Sequence, residues 1–251
     1  LLADIYGDAM SAKGVSVTKK LNIGERPAYI AALKDGSINF IPEYTGSILV
    51  YFDSAATTKT PADVYSALQA KVPSGLTVLK YAPAQDSDTI TVTKATATKY
   101  HLTSIADLAS VASSLTLGAP AGFKTRADGV PSLKSVYGVT FGTFTPLAAG
   151  GTVTVTALKS GSVDAADIFS TDPSIVQNGF VSLTDPKSMF AAQNVVPLAS
   201  QAKLSQPMVD ACNAVSAKLD TATLAKLVAD VAGGKDPDTV AKTWLSSMGL
   251  G

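Results

Sequence analysis

One short segment carries the residue types best suited to holding a small ligand. Residues 42–47 read PEYTGS and follow a short apolar run at 38–41, which we predict to be a strand that the proline ends. One aromatic side chain, two hydroxyls and a glycine therefore lie just beyond the carboxyl end of a predicted strand. Ligands bind at this position in open α/β sheets. The segment is predicted to contribute Tyr44, Thr45 and Ser47 to a binding site.

The same arrangement occurs a second time, at an offset of 125 residues. Residues 32–39 read ALKDGSIN and residues 157–164 read ALKSGSVD, with five identities in eight positions. At this offset, Tyr44 falls on Phe169. We interpret the two copies of helix, glycine, strand and aromatic as two related lobes, each of which offers one aromatic residue to a shared cleft. The alternative, two generic α/β units with a chance likeness, stays open at this point.

The chain contains few residues that could catalyse a reaction or bind a metal. It has one histidine, His101, and one cysteine, Cys212, so neither an internal disulfide nor a Cys/His zinc site is available. We predict that His101 lies in an exposed loop and that Cys212 is buried in a helix. Asp86 and Asp88 could share acid–base work, but no nucleophile elbow accompanies them. We therefore predict a protein that is not an enzyme and that uses no cofactor and no metal.

Length and charge restrict the class of protein further. The 251 residues are enough for one large or two small domains with an ample core. Basic and acidic residues balance at 20 each, which argues against nucleic acid and against a polybasic membrane surface as partners. No apolar run reaches the length of a membrane span. No signal peptide is visible, and the chain opens in a helix-like sequence, so we expect a segment upstream of it.

The remaining pattern predicts helices and strands that alternate at short spacing, which is typical of mostly parallel sheets. Helices are predicted at 1–12, from 26 onward, and at 61–71, 130–137, 206–219, 221–231 and 236–248. Strands are predicted at 15–18, 38–41, 76–81, 115–117, 180–183 and within 190–198. Two acids before a β-rich run mark the first crossover of the chain. The first lobe is therefore predicted to contain residues 1–86 and 191–251, and the second lobe residues 87–190.

Four motifs in this order resemble a known family: IPEYTGS, LGAPAGFKTRADG, DIFSTDP and FAAQNVVPL. They are similar to the substrate-binding proteins of osmoprotectant ABC importers, which take glycine betaine, choline and related compounds. The resemblance spans nearly the whole chain. It implies an α/β, two-lobed periplasmic-binding-protein fold of type II, in which a mixed, mostly parallel sheet in each lobe is flanked by helices. The ligand would lie in a cleft between the lobes, which close on it by a hinge.

The resemblance also implies a cellular context. A protein of this kind is exported, periplasmic or anchored as a lipoprotein, and acts as a monomer. It captures a small molecule, delivers it to the membrane permease of an ABC transporter and does no chemistry on it.

Individual residues receive roles from the same resemblance. Tyr44 matches an aromatic of the cage that holds a quaternary ammonium ion, and Ser47 matches a hydroxyl position. Arg126 stands at the place of the carboxylate-binding arginine, and Phe169 lies near the second-lobe aromatic, which is often a tyrosine. Aromatic faces attract such a cation, the arginine fork suits a carboxylate, and Asp88 would add Coulomb attraction. The complete set of predicted ligand-binding residues is Tyr44, Thr45, Ser47, Asp86, Asp88, Arg126, Phe169, Thr171 and Gln193.

Departures from the family pattern leave the ligand open. Asp88 stands where some relatives carry an aromatic, Phe169 lacks a hydroxyl, and the family's first strand and following loop would precede Leu1. A different small polar or aromatic ligand is one alternative. A ligand-sensing module of a receptor is a second alternative, and an enzyme built on the same fold is a third.

Several of these residues also have purely structural interpretations. Tyr44 could pack on Tyr51, and Arg126 could simply pair with Asp128. Phe169 could belong to the core, and Asp86 and Asp88 could be solvated linker or hinge residues. Asp172 precedes a proline, and we favour a role for it in capping the helix that follows rather than in contacting ligand.

Overall fold

The computed structural model describes residues 1–21, 23–24, 26–126 and 128–251. Asn22, Glu25 and Ala127 lie outside the described residues, and Ala127 belongs to the polar loop predicted at 123–129. The α-helices are α1 (Leu2–Ala12), α2 (Arg26–Asp35), α3 (Thr45–Phe52), α4 (Pro61–Lys71), α5 (Lys94–Tyr100), α6 (Val130–Tyr137), α7 (Gly151–Ser160), α8 (Pro173–Asn178), α9 (Gln206–Lys218), α10 (Thr221–Ala232) and α11 (Pro237–Ser247). The strands are β1 (Phe40–Tyr44), β2 (Leu76–Val78), β3 (Asp88–Val92), β4 (Thr116–Ala119), β5 (Thr143–Pro146), β6 (Ala165–Phe169), β7 (Val181–Ser182) and β8 (Val195–Ser200).

The described chain forms two compact units. Unit 1 contains residues 1–86 and 192–251, and unit 2 contains residues 87–191. Unit 1 has a three-stranded sheet in the order β1-β8-β2, and unit 2 has a five-stranded sheet in the order β5-β4-β6-β3-β7. Helices flank both sheets, so the predicted α/β class is confirmed.

The sheets contain less parallel pairing than the sequence pattern predicts. In unit 1, β8 pairs antiparallel with both β1 and β2. In unit 2, β4 pairs parallel with β5 and β6, whereas β3 pairs antiparallel with β6 and β7. The chain enters unit 2 along β3, and Asp88 at the start of β3 lies opposite Phe169 at the end of β6. A strand that begins where its neighbour ends must run in the opposite direction, so the entering strand is antiparallel.

Pro42 lies inside β1, so the prediction that this proline ends a strand at residue 41 is wrong. It lies opposite Pro197 of β8, whose carbonyl accepts a hydrogen bond of 2.9 Å from the Leu79 N–H on the β2 side. The backbone polar groups of Pro197 therefore face away from β1, and the Pro42 position requires no hydrogen bond to β8. β1 is also an edge strand of the described sheet, where proline is tolerated.

Residues 15–18 do not form the predicted strand. Val15 and Val17 pack against the core of unit 1, whereas Ser16 and Thr18 are exposed. A cavity of about 590 Å³ is lined by residues of this segment and of β1, and no strand of the described sheet pairs with the segment. The alternation of apolar and polar residues therefore reports a half-buried extended segment rather than a paired strand.

Unit 1 has one helical layer on each face of its sheet. Alternate residues of β8 point to opposite faces, and Val195 belongs to a core cluster with Cys212 and Trp244, whereas Val196 belongs to a cluster with Leu49. The first cluster is built from α1, α9, α10 and α11, and the second from α2, α3 and α4. The predicted burial of Cys212 in a helix is confirmed, and Trp244 packs in the same cluster. None of the described helices has the length and apolar composition that crossing a membrane requires.

In unit 2 the alternation along β6 separates two core clusters. Ala165 packs with Ile90 and Phe123 on one face, and Ile168 packs in a smaller cluster on the other face. Because alternate residues share a face, Asp167 and Phe169 lie on the same face as Ala165. At the end of α5, His101 is exposed and caps the helix in a left-handed conformation.

The repeated sequence folds into the same local structure twice. Gly36 follows α2 with φ of +83°, and Gly161 follows α7 with φ of +76°. β1 and β6 come next along the chain, and Tyr44 and Phe169 are the last residues of these strands. Helix, glycine, strand and terminal aromatic thus recur as the sequence predicts.

Candidate ligand-binding site

Tyr44 ends β1, and α3 begins at the next residue. Its side chain is half-buried against the unit 1 core, whereas the Tyr51 ring lies against Phe52, with centroids 5.7 Å apart. Burial raises the pKa of the Tyr44 hydroxyl well above its ordinary value, and the negative charges of Asp86 and Glu43 raise it further. The hydroxyl therefore stays neutral at physiological pH, and it hydrogen-bonds to the Asp86 side chain. Unit 1 thus presents an aromatic ring with a carboxylate beside it.

A buried network fixes the backbone just before Tyr44. Glu43 is 2% exposed and accepts two hydrogen bonds from the Arg26 guanidinium, of 2.8 Å from Nε and 3.0 Å from Nη2. The Tyr29 hydroxyl donates to Glu43 Oε1 at 2.6 Å, and the Tyr44 N–H donates to Oε2 at 3.0 Å. A carboxylate with this many donors is fully satisfied. Sequence analysis did not identify this network, which positions the end of β1.

Thr45 is fully buried, and its hydroxyl is used by the protein itself. It donates to the Ala192 carbonyl at 3.1 Å and accepts from the Asn194 N–H at 3.0 Å. Gly46 permits this close approach, because a Cβ there would lie 2.7 Å from the Ala192 oxygen. The structure therefore gives Thr45 a role in joining α3 to the segment before β8, which differs from the predicted contact with ligand.

Ser47 and Gln193 are brought together at the N-terminus of α3. The Ser47 N–H donates to Gln193 Oε1 at 2.9 Å, so the glutamine side chain satisfies one of the free amides of the first helical turn. The Gln193 N–H in turn donates to Gln85 Oε1 at 3.3 Å. Both predicted residues are half-buried and lie on the same side of unit 1 as the end of β1. Their hydrogen bond engages the Ser47 backbone amide and not its hydroxyl.

In unit 2, Phe169 ends β6 and is 41% exposed, an unusual position for a large aromatic side chain. Asp88 lies directly opposite it in the antiparallel pair β3–β6. Directly opposite residues have Cβ atoms about 4.5–5.5 Å apart. Unit 2 therefore repeats the arrangement of unit 1, with an aromatic at the end of a strand beside a carboxylate.

Arg126 is engaged by two carboxylates. Its Nη2 lies 2.5 Å from Asp88 Oδ2, and its Nε lies 3.0 Å from Asp128 Oδ1. The guanidinium carbon lies 4.7 Å from the centroid of the Phe123 ring, which holds it by a cation–π contact. The structural alternative, pairing with Asp128, is therefore present. A ligand carboxylate that reaches Arg126 must compete with Asp88 and Asp128 for its donors.

The residues after Phe169 serve mainly to shape the turn. Thr171 is 4% exposed, so a ligand does not reach most of its side chain in this conformation. The Ser170 N–H donates to the Ser87 carbonyl, and the Ser87 N–H donates to the Ser170 hydroxyl at 3.0 Å. The Asp172 side chain accepts from the Ser174 N–H at 2.8 Å and caps α8, so the favoured capping role is confirmed.

Asp167 is the residue of this region that sequence analysis missed. It is 0% exposed, and no described residue donates a hydrogen bond to either carboxyl oxygen, because Asp88, the side chain close enough to pair with it, is itself an acid. Burial, and after it the negative charge of Asp88, raise the pKa of Asp167 well above the ordinary range of a carboxyl. A signal was present in the sequence, because an acid interrupts the apolar strand AADIF at the position two residues before the aromatic.

Metal-ligating side chains do not cluster in the described part of either unit. Among the described residues, no group of three or more His, Cys, Asp or Glu side chains could hold a metal ion. Each unit instead places a carboxylate, Asp86 or Asp88, next to an aromatic ring. A negative charge and a π face are the two features that attract an organic cation.

Comparison with known proteins gives concordant matches over nearly the whole chain. The family described as the substrate binding domain of the ABC-type glycine betaine transport system (OpuAC) matches residues 1–247. The chain is 31% identical over 265 residues to the glycine betaine-binding protein YehZ of Escherichia coli (strain K12), which covers 99% of this chain and 87% of that protein.

Two solved structures have the same fold. A structure described as a glycine betaine/carnitine/choline ABC transporter is similar with a TM-score of 0.88 at 27% identity, covering 99% of this chain and 95% of the other. The ligand-free YehZ of Escherichia coli is similar with a TM-score of 0.82 at 28% identity, covering 99% and 94% of the two chains.

Proposed function

We infer the function of this chain from its family: it belongs to the substrate-binding domains of ABC-type glycine betaine transport systems. Proteins of this family bind a small molecule and work with the permease of an ABC transporter. The chain is accordingly a substrate-binding component of such a transport system. An acid–base enzyme that uses Asp86 and Asp88 is not supported by this membership.

The ligand that we propose is a small quaternary ammonium compound such as glycine betaine or choline. One observation carries this proposal: each unit places an aromatic at the end of the equivalent strand with a carboxylate beside it, Tyr44 with Asp86 and Phe169 with Asp88. A quaternary ammonium ion donates no hydrogen bonds, so aromatic faces and nearby negative charge are what can hold it. Relatives of this chain are named for glycine betaine and carnitine.

We assign the contacts in two groups. Tyr44 and Phe169 present ring faces to the ligand, and Asp86 and Asp88 supply negative charge. Ser47, Gln193 and Arg126 supply polar contacts, with Arg126 available to a ligand carboxylate only when it exchanges partners. Thr45 and Thr171 are assigned structural roles next to the ligand-contacting residues, since both side chains are buried.

The units of residues 1–86 with 192–251 and of residues 87–191 are proposed to be the two ligand-binding lobes of the protein. We further propose that the protein acts outside the cytoplasm, periplasmic or anchored as a lipoprotein, as a monomer that does not bind nucleic acid. The motifs PEYTG and STDP and the family membership support this assignment.

Isothermal titration calorimetry with choline, glycine betaine and carnitine tests the proposal. Tyr44→Ala and Phe169→Ala should each weaken binding by roughly tenfold, about 1–2 kcal/mol, because each removes one π face. Tyr44→Phe should cost less, since the ring remains. Tyr51→Ala is the matched control, because Tyr51 is 42% exposed, close to the 41% of Phe169, but lies in the last turn of α3.

Two outcomes would contradict the proposal. Binding of none of the three compounds would point to another ligand class. Unchanged affinity in both Tyr44→Ala and Phe169→Ala, with folding intact, would exclude an aromatic contribution from these residues.

A further inference from the structure

Asp167 lies beneath the exposed residues at the carboxyl end of β6. It shares a face of the sheet with Phe169, because alternate strand residues point the same way. Asp88 lies opposite Phe169, and Ile90 lies opposite Asp167 on the same face. Asp88 and Asp167 are therefore diagonal neighbours across β3 and β6, within reach of each other's side chains. Phe169 is 41% exposed, whereas Asp167 is 0% exposed.

Asp167 differs from the well-partnered buried acids of unit 1. Asp4 is 2% exposed and pairs with Lys19 at 3.1 Å, and Glu43 pairs with Arg26 at 2.8 Å. No described residue donates a hydrogen bond to either oxygen of Asp167, and a hydrogen bond between it and the Asp88 carboxyl requires a proton. An ionised carboxylate buried without a partner is strongly unfavourable, and a proton removes that charge.

The groups that face Asp167 form a small cluster of one cation and several acids. Asp88 faces it from β3, and Arg126 and Asp128 face it from the loop that follows residue 124. β4, on the other side of β6, contributes the apolar residues Leu117 and Ala119. Three carboxylates against one guanidinium would give the cluster a charge of −2, and a proton on Asp167 reduces it to −1.

We propose that Asp167 couples cation binding to pH through its proton: it holds the proton while no cation lies at Asp88 and Phe169, and releases it to solvent when a cationic ligand binds there. This inference rests on the proposed function and deepens it. Asp167 does not contact the ligand, because it is buried. It adjusts the charge of the surface that does.

The coupling follows from elementary electrostatics. A positive charge beside Asp88 lowers the pKa of the neighbouring buried carboxyl, because it stabilises the ionised form. Ionised Asp167 in turn strengthens the attraction for the cation, so that the two events favour each other. Cation affinity should therefore rise with pH until Asp167 is ionised in the free protein as well. The total gain is bounded by tenfold for each pH unit.

The test is calorimetry of choline binding at pH 7 in phosphate and in Hepes, two buffers whose ionisation enthalpies differ. The dependence of the observed enthalpy on the buffer gives the number of protons exchanged. We expect the parent protein to release about half a proton to one proton, and its affinity for choline to rise roughly five- to tenfold between pH 6 and pH 8. Asp167→Asn should bind choline with no proton release and with affinity nearly independent of pH.

Asp107→Asn is the control, since hydrogen bonds from the Thr103 and Ser104 amides lower the pKa of Asp107 to about 2 and keep it ionised throughout. It should release as many protons as the parent. A second measurement follows the carboxyl ¹³C resonance of Asp167 in the parent protein, which should move from the protonated to the ionised position when choline is added. This measurement decides the question even where Asp167→Asn does not fold.

The outcomes separate the two proposals. Choline binding without proton exchange in the parent, or with unchanged exchange in Asp167→Asn, would overturn the inference and leave the proposed function standing. Absence of binding by every cation tried would overturn both. Proton release that disappears in Asp167→Asn and persists in Asp107→Asn would establish it.

Discussion

The two copies of the helix–glycine–strand–aromatic segment each bury an acidic side chain, but the hydrogen-bond donors around these two side chains differ. In unit 1, Glu43 precedes Tyr44 and is surrounded by donors from Arg26, Tyr29 and the Tyr44 backbone. In unit 2, Asp167 lies two residues before Phe169, and no described residue donates a hydrogen bond to it. Both side chains are almost fully buried, with exposures of 2% and 0%.

The difference shows that the same local backbone structure can bury either a paired, ionised carboxylate or an acid that holds a proton. Glu43 is an ionised anchor, because removing its charge would leave the Arg26 guanidinium without its partner. Asp167 is a proton carrier, because the cation that acts on it is Arg126, and Asp88 and Asp128 already share that guanidinium. Burial alone therefore does not show whether an acid has a structural role. The hydrogen-bond donors around the carboxyl determine whether it is ionised and paired or protonated.

The same chemical change in the two copies should have opposite consequences. Glu43→Gln should destabilise unit 1 by about 3 kcal/mol, at the lower end for a broken buried pair, because Arg26 keeps 28% of its side-chain exposure. Asp167→Asn should be neutral or stabilising at pH 8, because it removes a charge that has no partner. Urea unfolding followed by the fluorescence of Trp244, which lies in the unit 1 core, measures the first variant. Hydrogen exchange of peptides from 87–191 measures the second.

A control for this comparison is the double variant Arg26→Gln with Glu43→Gln, which removes both charges together. It should recover part of the stability lost in Glu43→Gln. A loss in Asp167→Asn as large as that in Glu43→Gln would mean that Asp167 has a stabilising partner, and would remove the contrast between the copies.

The pH dependence of unit 2 should carry the signature of Asp167. Burial raises its pKa from 3.8 to about 8 in the folded protein. Below about pH 4, Asp167 holds the proton in both the folded and the unfolded state. Between about pH 4 and pH 8 only the folded state holds it, so the free energy of unfolding falls as pH rises. Above about pH 8 neither state holds it, and the free energy of unfolding no longer changes through this group. Between pH 5 and pH 8 the parent should lose about 3.5 kcal/mol relative to Asp167→Asn.

Hydrogen exchange of unit 2 peptides at pH 5 and pH 8, corrected for the intrinsic exchange rate, checks this expectation. Peptides from unit 1 serve as the internal reference, since Glu43 is paired with Arg26. A difference between parent and Asp167→Asn that is the same at both pH values would contradict a proton on Asp167.

The glycines that end the helices of the two copies should behave alike. Gly36 and Gly161 have φ of +83° and +76°, and a Cβ at either position would meet no atom within 4 Å. Gly36→Ala and Gly161→Ala should therefore each cost about 1 kcal/mol from backbone strain alone. Thermal unfolding of the two variants measures the cost. Unequal costs would show that the two copies differ in local backbone as well as in their buried acids.

Local sequence was sufficient to predict much of each unit. The helices α4 and α6 begin and end at the residues that the sequence predicts, 61–71 and 130–137. The strand that contains Pro42 was predicted to end at residue 41, because proline usually ends a strand. In an edge strand opposite Pro197, however, Pro42 loses no hydrogen bond. The segment at 15–18 was misread, because alternation predicts which side is buried but not whether another strand lies alongside.

The candidate site divides in the same way. The sequence by itself determined where the aromatics stand, since the repeat at an offset of 125 residues puts Tyr44 and Phe169 at the ends of equivalent strands. Spacing and the local signals of helix end and strand are short-range properties, and they act whatever the rest of the chain does.

Only the tertiary structure decided which charges neutralise one another. Arg126 and Asp88 are 38 residues apart, and their ion pair depends on how β3 lies against β6 and how the loop after residue 124 folds over it. The same packing buries Asp167 without a hydrogen-bond donor, and the acid in the apolar run AADIF does not by itself reveal this. Electrostatic partners are set by distance in space and by the exclusion of water, and neither quantity is written in the order of residues along the chain.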